Sequence, residues 1–453
     1  MKIERMHLKN FRCFDELTIN FDKRLTVIIA ENGAGKTAIL DAIAIGFGRY
    51  LTKLPGVSGR TSKEVDIRVN HGERREPIMM LAWEASTREG ASLVWSGGRR
   101  RDMAVNAATL QKLIAGEKEG QFKRGFKELD SFTLEIVQAD ADQKAYFLPV
   151  VAYYGTNRAI REEVRRRRGF KKNFSRFDAL IGALDPDSRF RSAFEWFNGM
   201  EDIERRERES RRDFDYRNSE LQVVRDAIVR LLPAGFSNPR TETRPLRFVV
   251  DREVNGETRT LRISQLSDGY RVMLGLAMDF SRRMAQANSY LATNGMQIAT
   301  PLDLPAIALI DEVDLHLHPS WQQRVITDLM QTFSNTQFIV TTHSPQVLST
   351  VKRENIRVIG PDANGKIIAS QPLAMSYGEP SGDVLQSVMM VDPQPPVSEK
   401  ADLQRLTEMV DQGNYQNEEA KYLMQRLITA LGEQHQQLQR LQRSIQRQEM
   451  LNK

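Results

Sequence analysis

The sequence predicts an α/β fold built on a largely parallel sheet, and three observations carry that expectation. LTVII (25–29) runs straight into the glycine-rich ENGAGKT (31–37), and AILDAIAIGFGRYL (38–51) follows with helical apolar spacing, which makes a strand, loop and helix unit. LPAIALIDE (304–312) is a continuous apolar run that ends in two acids, as expected for a central parallel strand buried on both faces. HPSWQQRVITDLMQTF (318–333), with Pro319 placed for a helix start, then leads to TQFIVTTHSP (336–345), which reads as the next buried strand.

Around that frame the other elements follow in order. IERMHL, ELTINF and LTVII alternate apolar and polar residues within 2–9, 16–21 and 25–29, so three strands are expected. IMMLAWEA (78–85), SFTLEIV (131–137) and PVVAYYG (149–155) are further strand candidates, whereas Arg99 to Arg101, after Gly97 and Gly98, read as a loop tip. Residues 161–176 are densely basic, and 194–230 are charged, helical in pattern and poor in Gly and Pro, as in an insertion. Strands resume at LRFVVDREVNGETRTLRI (246–263), where Asn255-Gly256 marks a hairpin. The Gln-rich tail carries apolar residues three or four apart: Leu403, Leu406, Val410, then Leu423, Leu427, Leu431, then Leu438, Leu441, Ile445. Such stripes require partners.

Composition excludes several classes. At 40% apolar and 27% charged residues the chain is globular. The single cysteine, Cys13, forbids an intramolecular disulfide and is assigned to packing. No apolar run approaches the roughly 20 residues of a membrane span and the N-terminus lacks a signal-like core, so a cytoplasmic protein is expected. A net charge of +6 fits contact with polyanions and equally fits ordinary solubility.

The chemistry concentrates in four segments. In Asn32-Gly33-Ala34-Gly35-Lys36-Thr37 the glycines let backbone amides face phosphates, Lys36 supplies charge and the Thr37 hydroxyl can hold Mg²⁺. Ala30 stands where the usual pattern has glycine, which is tolerable if its φ is negative. Asp311 and Glu312 end a strand, where open α/β sheets bind ligands; Asp311 would hold Mg²⁺ and Glu312 would orient and deprotonate the attacking water. Ser267 and Gly269, in SQLSDGYR (264–271), open a helix whose N-terminus can meet a phosphate. His343 follows the next strand, in TTHS.

In this order the four segments resemble the signature, Walker and switch motifs of ABC-type ATPases. LKNFRCFDELTINF (8–21), DEVDLHLHPSWQ (311–322) and TTHSPQVL (341–348) resemble the RecF, SMC and OLD group among them, over most of residues 1–60 and 260–350. The resemblance implies an SMC/RecF-like P-loop ATPase head with N-terminal antiparallel strands, a short helical insert and a helical C-terminal extension. It implies head residues 1–160 and 239–365, an insert at 161–238, and a C-terminal oligomerisation or docking region at 380–453. It further implies a homodimer that sandwiches ATP and Mg²⁺, each nucleotide held by the loop of one subunit and by Ser267 and Gly269 of the other, with His343 sensing the γ-phosphate. Arg12 occupies a place that often approaches the nucleotide in such relatives, which also include members with alanine at the first loop position.

A narrower resemblance rests on VVAYYGTNR (150–158), the short insert and SYGEPSGDVLQSVMMV (376–391) followed by paired helices. These resemble the PtuA family, the ATPase subunits of Septu antiphage systems, and relatives in some retrons. The resemblance implies higher homo-oligomers and a separate small HNH nuclease of the PtuB type. The alternative is a RecF-like repair clamp on duplex DNA. A self-sufficient OLD nuclease would need an additional acidic TOPRIM domain after the ATPase, and the residues beyond His343 show no Asp-x-Asp pair after a strand; Asp268, Tyr270 and Arg271 depart from a transporter signature. Arg165 to Arg168, with Lys171 and Lys172, could meet DNA phosphates or be a solvated face. His316 and His318 share the alternation of a metal pair, but further ligands are missing.

Overall fold

The structure is a computed structural model that describes residues 1–69, 75–102, 125–160, 174–187, 190–293 and 300–451, with backbone alone at 289–293. It divides into two compact units, Met1–Val384 and Leu385–Lys453.

In the first unit, strands β3 (Leu25–Ile29), β6 (Val150–Tyr154), β10 (Ala306–Ile310) and β11 (Gln337–Thr341) are each buried along their whole length. Their apolar, β-branched and aromatic runs suit a strand covered on both faces. They pair in parallel in a six-stranded sheet of order β13-β12-β3-β11-β10-β6, with β12 (Ile356–Pro361) parallel to β3 and β13 (Ile367–Ser370) antiparallel at the edge. The carboxyl ends of β3, β11, β10 and β6 therefore lie along one side of the sheet.

A second sheet, antiparallel, has the order β2-β1-β4-β5, formed by β1 (Lys2–Phe11), β2 (Phe14–Asn20), β4 (Ile78–Ser86) and β5 (Ser92–Arg100). Gln337 joins the sheets: it lies fully buried, accepts from the Ile3 amide at 2.8 Å and donates to the Ile3 and Asp22 carbonyls at 2.7 and 2.8 Å. Strand β5 corrects the expected loop tip, because Gly97 and Gly98 lie inside the strand and Arg99 and Arg100 end it, paired with Met79 and Ile78. Glycine is needed there for packing, since a Cβ on Gly97 would come within 2.7 Å of the Phe126 ring.

The strand expected at 131–137 is instead part of helix α2 (Lys127–Ala141). Its β-branched residues suggest a strand, but burial of Leu129, Thr133 and Ile136 follows the helical period, and Leu134 is exposed. Helix α1 (Lys36–Thr52) follows the loop, and its Arg49 grips Asp130 of α2 with two bonds of 2.8 and 2.6 Å.

The charged region forms helices α3 (Phe190–Arg211) and α4 (Ser219–Leu231), which pack on α5 (Asp268–Thr293). A three-stranded sheet, β7 (Phe236–Thr243), β8 (Leu246–Val254) and β9 (Glu257–Arg262), lies beside them, with Phe248 edge-on to Phe190 and Phe197. Asn255 and Gly256, at φ 54° and 81°, form the expected β8–β9 turn. The single helix expected after Pro319 is a short turn, Pro319–Gln322, followed by α6 (Val325–Thr332). Arg165 to Arg168, Lys171 and Lys172 lie outside the described residues. Among those described, no helix is long and apolar enough to cross a membrane.

In the second unit, α7 (Lys400–Asp411), α8 (Glu418–Leu431) and α9 (Gln436–Leu451) bury their apolar stripes against one another. Leu403, Leu406, Val410, Leu423, Leu427, Leu438 and Leu441 form one core, with Leu431 and Ile445 partly buried against it.

Candidate nucleotide-binding site

Gly35 caps the N-terminus of α1 in the left-handed region, at φ 97°. A side chain is excluded there twice over, since a Cβ would fall 2.4 Å from Cys13 Sγ and 2.5 Å from the Phe14 ring. Gly33, at φ 80°, faces open space. Ala30 lies outside the positive-φ residues of the described chain, so the first loop position makes no demand that only glycine could meet. The first turn of α1 carries no acidic residue, which leaves its unpaired amides and positive end free for an anion.

Lys36 is buried beneath the loop, where its Nζ donates to the carbonyls of Ala30 at 2.9 Å and Glu31 at 3.0 Å. Burial pulls its pKa below the usual lysine value, while Asp311 and Glu312 push it the other way. Thr37 donates from Oγ1 to Asp311 Oδ2 at 2.7 Å. The other Asp311 oxygen accepts from Thr341 Oγ1 at 2.5 Å, and the same Thr341 oxygen accepts from the Glu312 amide at 2.7 Å. Two hydroxyls thus orient the buried Asp311 carboxylate. Thr341 was absent from the sequence reading, although it stands in the quoted TTHS; as the last residue of a buried strand its hydroxyl had no visible partner until β10 and β11 were adjacent.

Arg158, which is not among the candidate residues read from the sequence, lies against the same two acids. It is 2% exposed, and its Nη1 donates to the carbonyls of Asp311 at 2.5 Å and Gly155 at 3.0 Å, while Nη2 donates to the Glu312 carbonyl at 2.5 Å. Burial lowers its pKa to about 10, against the opposing pull of Asp311, Asp314 and Glu312, so it stays protonated at neutral pH. Glu312 itself is half-buried with φ 46°, a left-handed conformation that costs a non-glycine residue about 1–3 kcal/mol.

Ser267 precedes α5 and is exposed; its carbonyl accepts from the Arg271 amide at 3.0 Å. Gly269 is buried against the loop after β10, where a Cβ would meet the His316 carbonyl at 2.6 Å. Tyr270 packs between Phe236 and Trp321, with ring centroids at 5.1 and 5.4 Å. The segment from Ser267 to Arg271 therefore rests on the stretch that follows Glu312. His343 is half-buried, and its ring has no protein hydrogen-bond partner among the described residues.

Arg12 precedes Cys13 and Phe14, which abut Gly35 of the loop, and is held there by ion pairs. Its guanidinium pairs with Asp41 on α1 at 2.6 Å and with Asp66 at 2.9 Å, and Arg60 takes the other Asp41 oxygen at 2.8 Å. His318 uses its ring to accept from the Ser320 amide at 3.3 Å, at the start of the short helical turn.

Two family models match the chain. One, described as an AAA domain, matches residues 5–228; the other, described as AAA domain, putative AbiEii toxin, Type IV TA system, matches residues 153–349. A retron Ec83 probable ATPase of Escherichia coli is 27% identical over 99% of this chain and 87% of its own length. A retron Vc95 probable ATPase of Vibrio cholerae serotype O1 biovar El Tor is 25% identical over 85% of this chain and 78% of its own. The Septu protein PtuA of Bacillus mycoides is 23% identical over 83% of this chain but only 43% of its own. Among solved structures, an SMC head bound to the C-terminal winged-helix domain of ScpA covers 82% of this chain and 98% of that one, at 17% identity and a TM-score of 0.43.

The glycine loop on β3, the acid-ended β10 and the matches to AAA-domain models and to probable ATPases define the class: the chain is a P-loop ATPase. Within that class it is related to the PtuA proteins of Septu systems and to the retron ATPases.

Proposed function

We propose that this chain is the ATP-binding and ATP-hydrolysing subunit of an antiphage defence complex, in which ATP-dependent head engagement controls a separate HNH-type DNA nuclease. The observation that carries the hydrolytic part is the bonded set Thr37, Asp311, Thr341 and Glu312 at the carboxyl ends of β3, β10 and β11. The defence part rests on the resemblance to Septu and retron ATPases, which for the Ec83 relative extends over 99% of the chain. A RecF of Acetivibrio thermocellus matches only 25% of it, so the repair-clamp reading stands second.

The loop amides and the N-terminus of α1 bind the phosphates of ATP. Lys36, whose Nζ donates to two neutral carbonyls, exchanges them for the terminal phosphates and gains a charged partner. The Thr37 hydroxyl and the Asp311 carboxylate, 2.7 Å apart and both oxygen donors, suit Mg²⁺, which when bound neutralises charge on the phosphates. Glu312 orients the attacking water and takes its proton. His343, whose ring has no hydrogen-bond partner among the described residues, contacts the γ-phosphate. Ser267 and Gly269 complete the site of a second copy.

The test is ATP binding and turnover by the wild type, Lys36→Ala and Glu312→Gln, followed by plasmid cleavage with Mg²⁺ or Mn²⁺, alone and with any HNH protein encoded beside it. Lys36→Ala is expected to lose binding, and Glu312→Gln to bind ATP without turning it over. Cleavage only in the mixture supports the nuclease-control reading. Normal hydrolysis by Glu312→Gln removes Glu312 as the base, and no cleavage in either case favours the clamp.

A further inference from the structure

The described residues hold several polar clusters outside the loop. The cleft between α3, α4 and β7 has a volume of about 780 Å³, but its buried Glu201 and Glu204 are already paired with Arg225 and Arg208. The cluster behind the candidate base is different, because its cation binds backbone oxygens instead of a carboxylate.

We infer that Arg158 is a positioning residue for ATP hydrolysis, which holds Glu312, at the Asp311–Glu312 turn, in its left-handed conformation from a place beside α5, the helix whose first residues include Gly269. The inference rests on the reading of Glu312 as the residue that orients water.

Geometry supplies the argument. Two successive carbonyls, of Asp311 and Glu312, accept from one guanidinium. A planar fork can donate to both at once, whereas a lysine ammonium presents a single point. A left-handed residue such as Glu312 persists only where its surroundings over-determine it. Three bonds do so here: Arg158 on its carbonyl, Thr341 on its amide, and the Leu315 amide, which donates to the same carbonyl at 2.9 Å. The peptide on the far side of Asp311 is held as well, since the Asp311 amide donates to the Tyr154 carbonyl at 2.8 Å.

The backbone of Arg158 lies on a different element. Gly275, in the second turn of α5, lies beside it, since a Cβ there would make ordinary van der Waals contact, at 3.4 Å, with the Arg158 carbonyl and with Ile160. The same helix begins at Asp268, beside the segment assigned to the opposite nucleotide. Arg158 thus lies between α5, which its backbone adjoins, and the Asp311–Glu312 turn, which its guanidinium holds. Buried charge adds to this: the protonated guanidinium stands behind Asp311, Asp314 and Glu312, which lowers the cost of gathering three carboxylates in one place.

The experiment compares full-length wild type, Arg158→Lys and Arg158→Met for ATP dissociation constant, single-turnover hydrolysis and thermal unfolding. Arg158→Lys is expected to fold and to bind ATP within about twofold of wild type while its hydrolysis rate falls about 10- to 100-fold, the usual loss for a supporting partner. Arg158→Met is expected to fall at least as far, and if it fails to fold, Arg158→Lys decides alone. A folded Arg158→Lys that hydrolyses at the wild-type rate overturns the inference. So does a loss of binding and turnover in equal proportion, which would mark a structural role only. Wild-type protein that hydrolyses ATP independently of Glu312 defeats the parent reading instead, and is recognised by the Glu312→Gln control.

Discussion

Thr37, the second residue of helix α1, donates its hydroxyl to Asp311 at 2.7 Å across a sequence separation of 274 residues. This single bond joins the phosphate loop to the acid-ended strand, and it is where the two halves of the site meet. The Thr341 hydroxyl completes the arrangement from the strand that lies between them.

Thr341→Val keeps the shape of a buried side chain but leaves the Glu312 amide and one Asp311 oxygen without a partner. Each orphaned group costs about 1–3 kcal/mol, and supporting-shell losses of this kind reduce activity about 10- to 100-fold. The expected outcome is a folded protein with a lower turnover number, measured by steady-state ATP hydrolysis. An unchanged rate would show that the hydroxyl is dispensable.

At the loop, Ala30→Gly is expected to leave ATP affinity unchanged, because position 30 uses no positive φ. It should lower stability by about 0.4–1 kcal/mol through the added freedom of the unfolded chain. Gly35→Ala behaves oppositely: the left-handed conformation costs about 1–2 kcal/mol and overpacking against Phe14 about 1–3 kcal/mol more. Titration calorimetry with ATP and denaturant unfolding on both variants check the pair, and higher affinity in Ala30→Gly would contradict the account.

Asp279, on α5, is fully buried between Arg282 at 2.8 Å and Arg283 at 2.6 Å, and accepts from Tyr154 at 2.9 Å. Burial pushes its pKa up, but Arg283 and Arg282 outweigh this and hold it at about 2, below the ordinary 3.8. A depressed carboxylate stabilises the fold above its unfolded pKa, so the contribution is complete above about pH 4 and is lost as pH falls through 2, amounting to about 2 kcal/mol. Asp279→Asn leaves two buried cations unpaired and should cost on the order of 3–5 kcal/mol at neutral pH. Unfolding followed from pH 7 to pH 2 should show the gap between wild type and variant narrowing only below about pH 4.

Leu427, fully buried in the three-helix unit, is expected to cost about 2–5 kcal/mol when replaced by alanine. Hydrogen exchange is the measurement: amides across α7, α8 and α9 should lose protection together. Loss confined to the turn around Leu427 would mean that the stripes do not form one core.

The sequence by itself determined the strand, loop and helix at 25–51, the acid-ended strand at 306–312 and the strand before His343. These signals are local, because a strand buried on both faces must be apolar throughout and a phosphate loop must contain glycine at its left-handed turns. It also determined the heptad-like stripes of the tail. It misjudged 131–137, where β-branched residues lie on a helix whose buried face shows only in its period, and 97–100, where the glycines serve a Phe126 contact made across the fold. The tertiary structure alone decided how the motifs combine. Thr341 and Arg158 acquire roles because strand order sets β11 between β3 and β10 and β6 at the edge, and Arg12 is held by Asp41 and Asp66, which lie 29 and 54 residues further along the chain. Hydrogen bonds and ion pairs reach about 3 Å, so their partners are chosen by packing, which no local pattern of residues records.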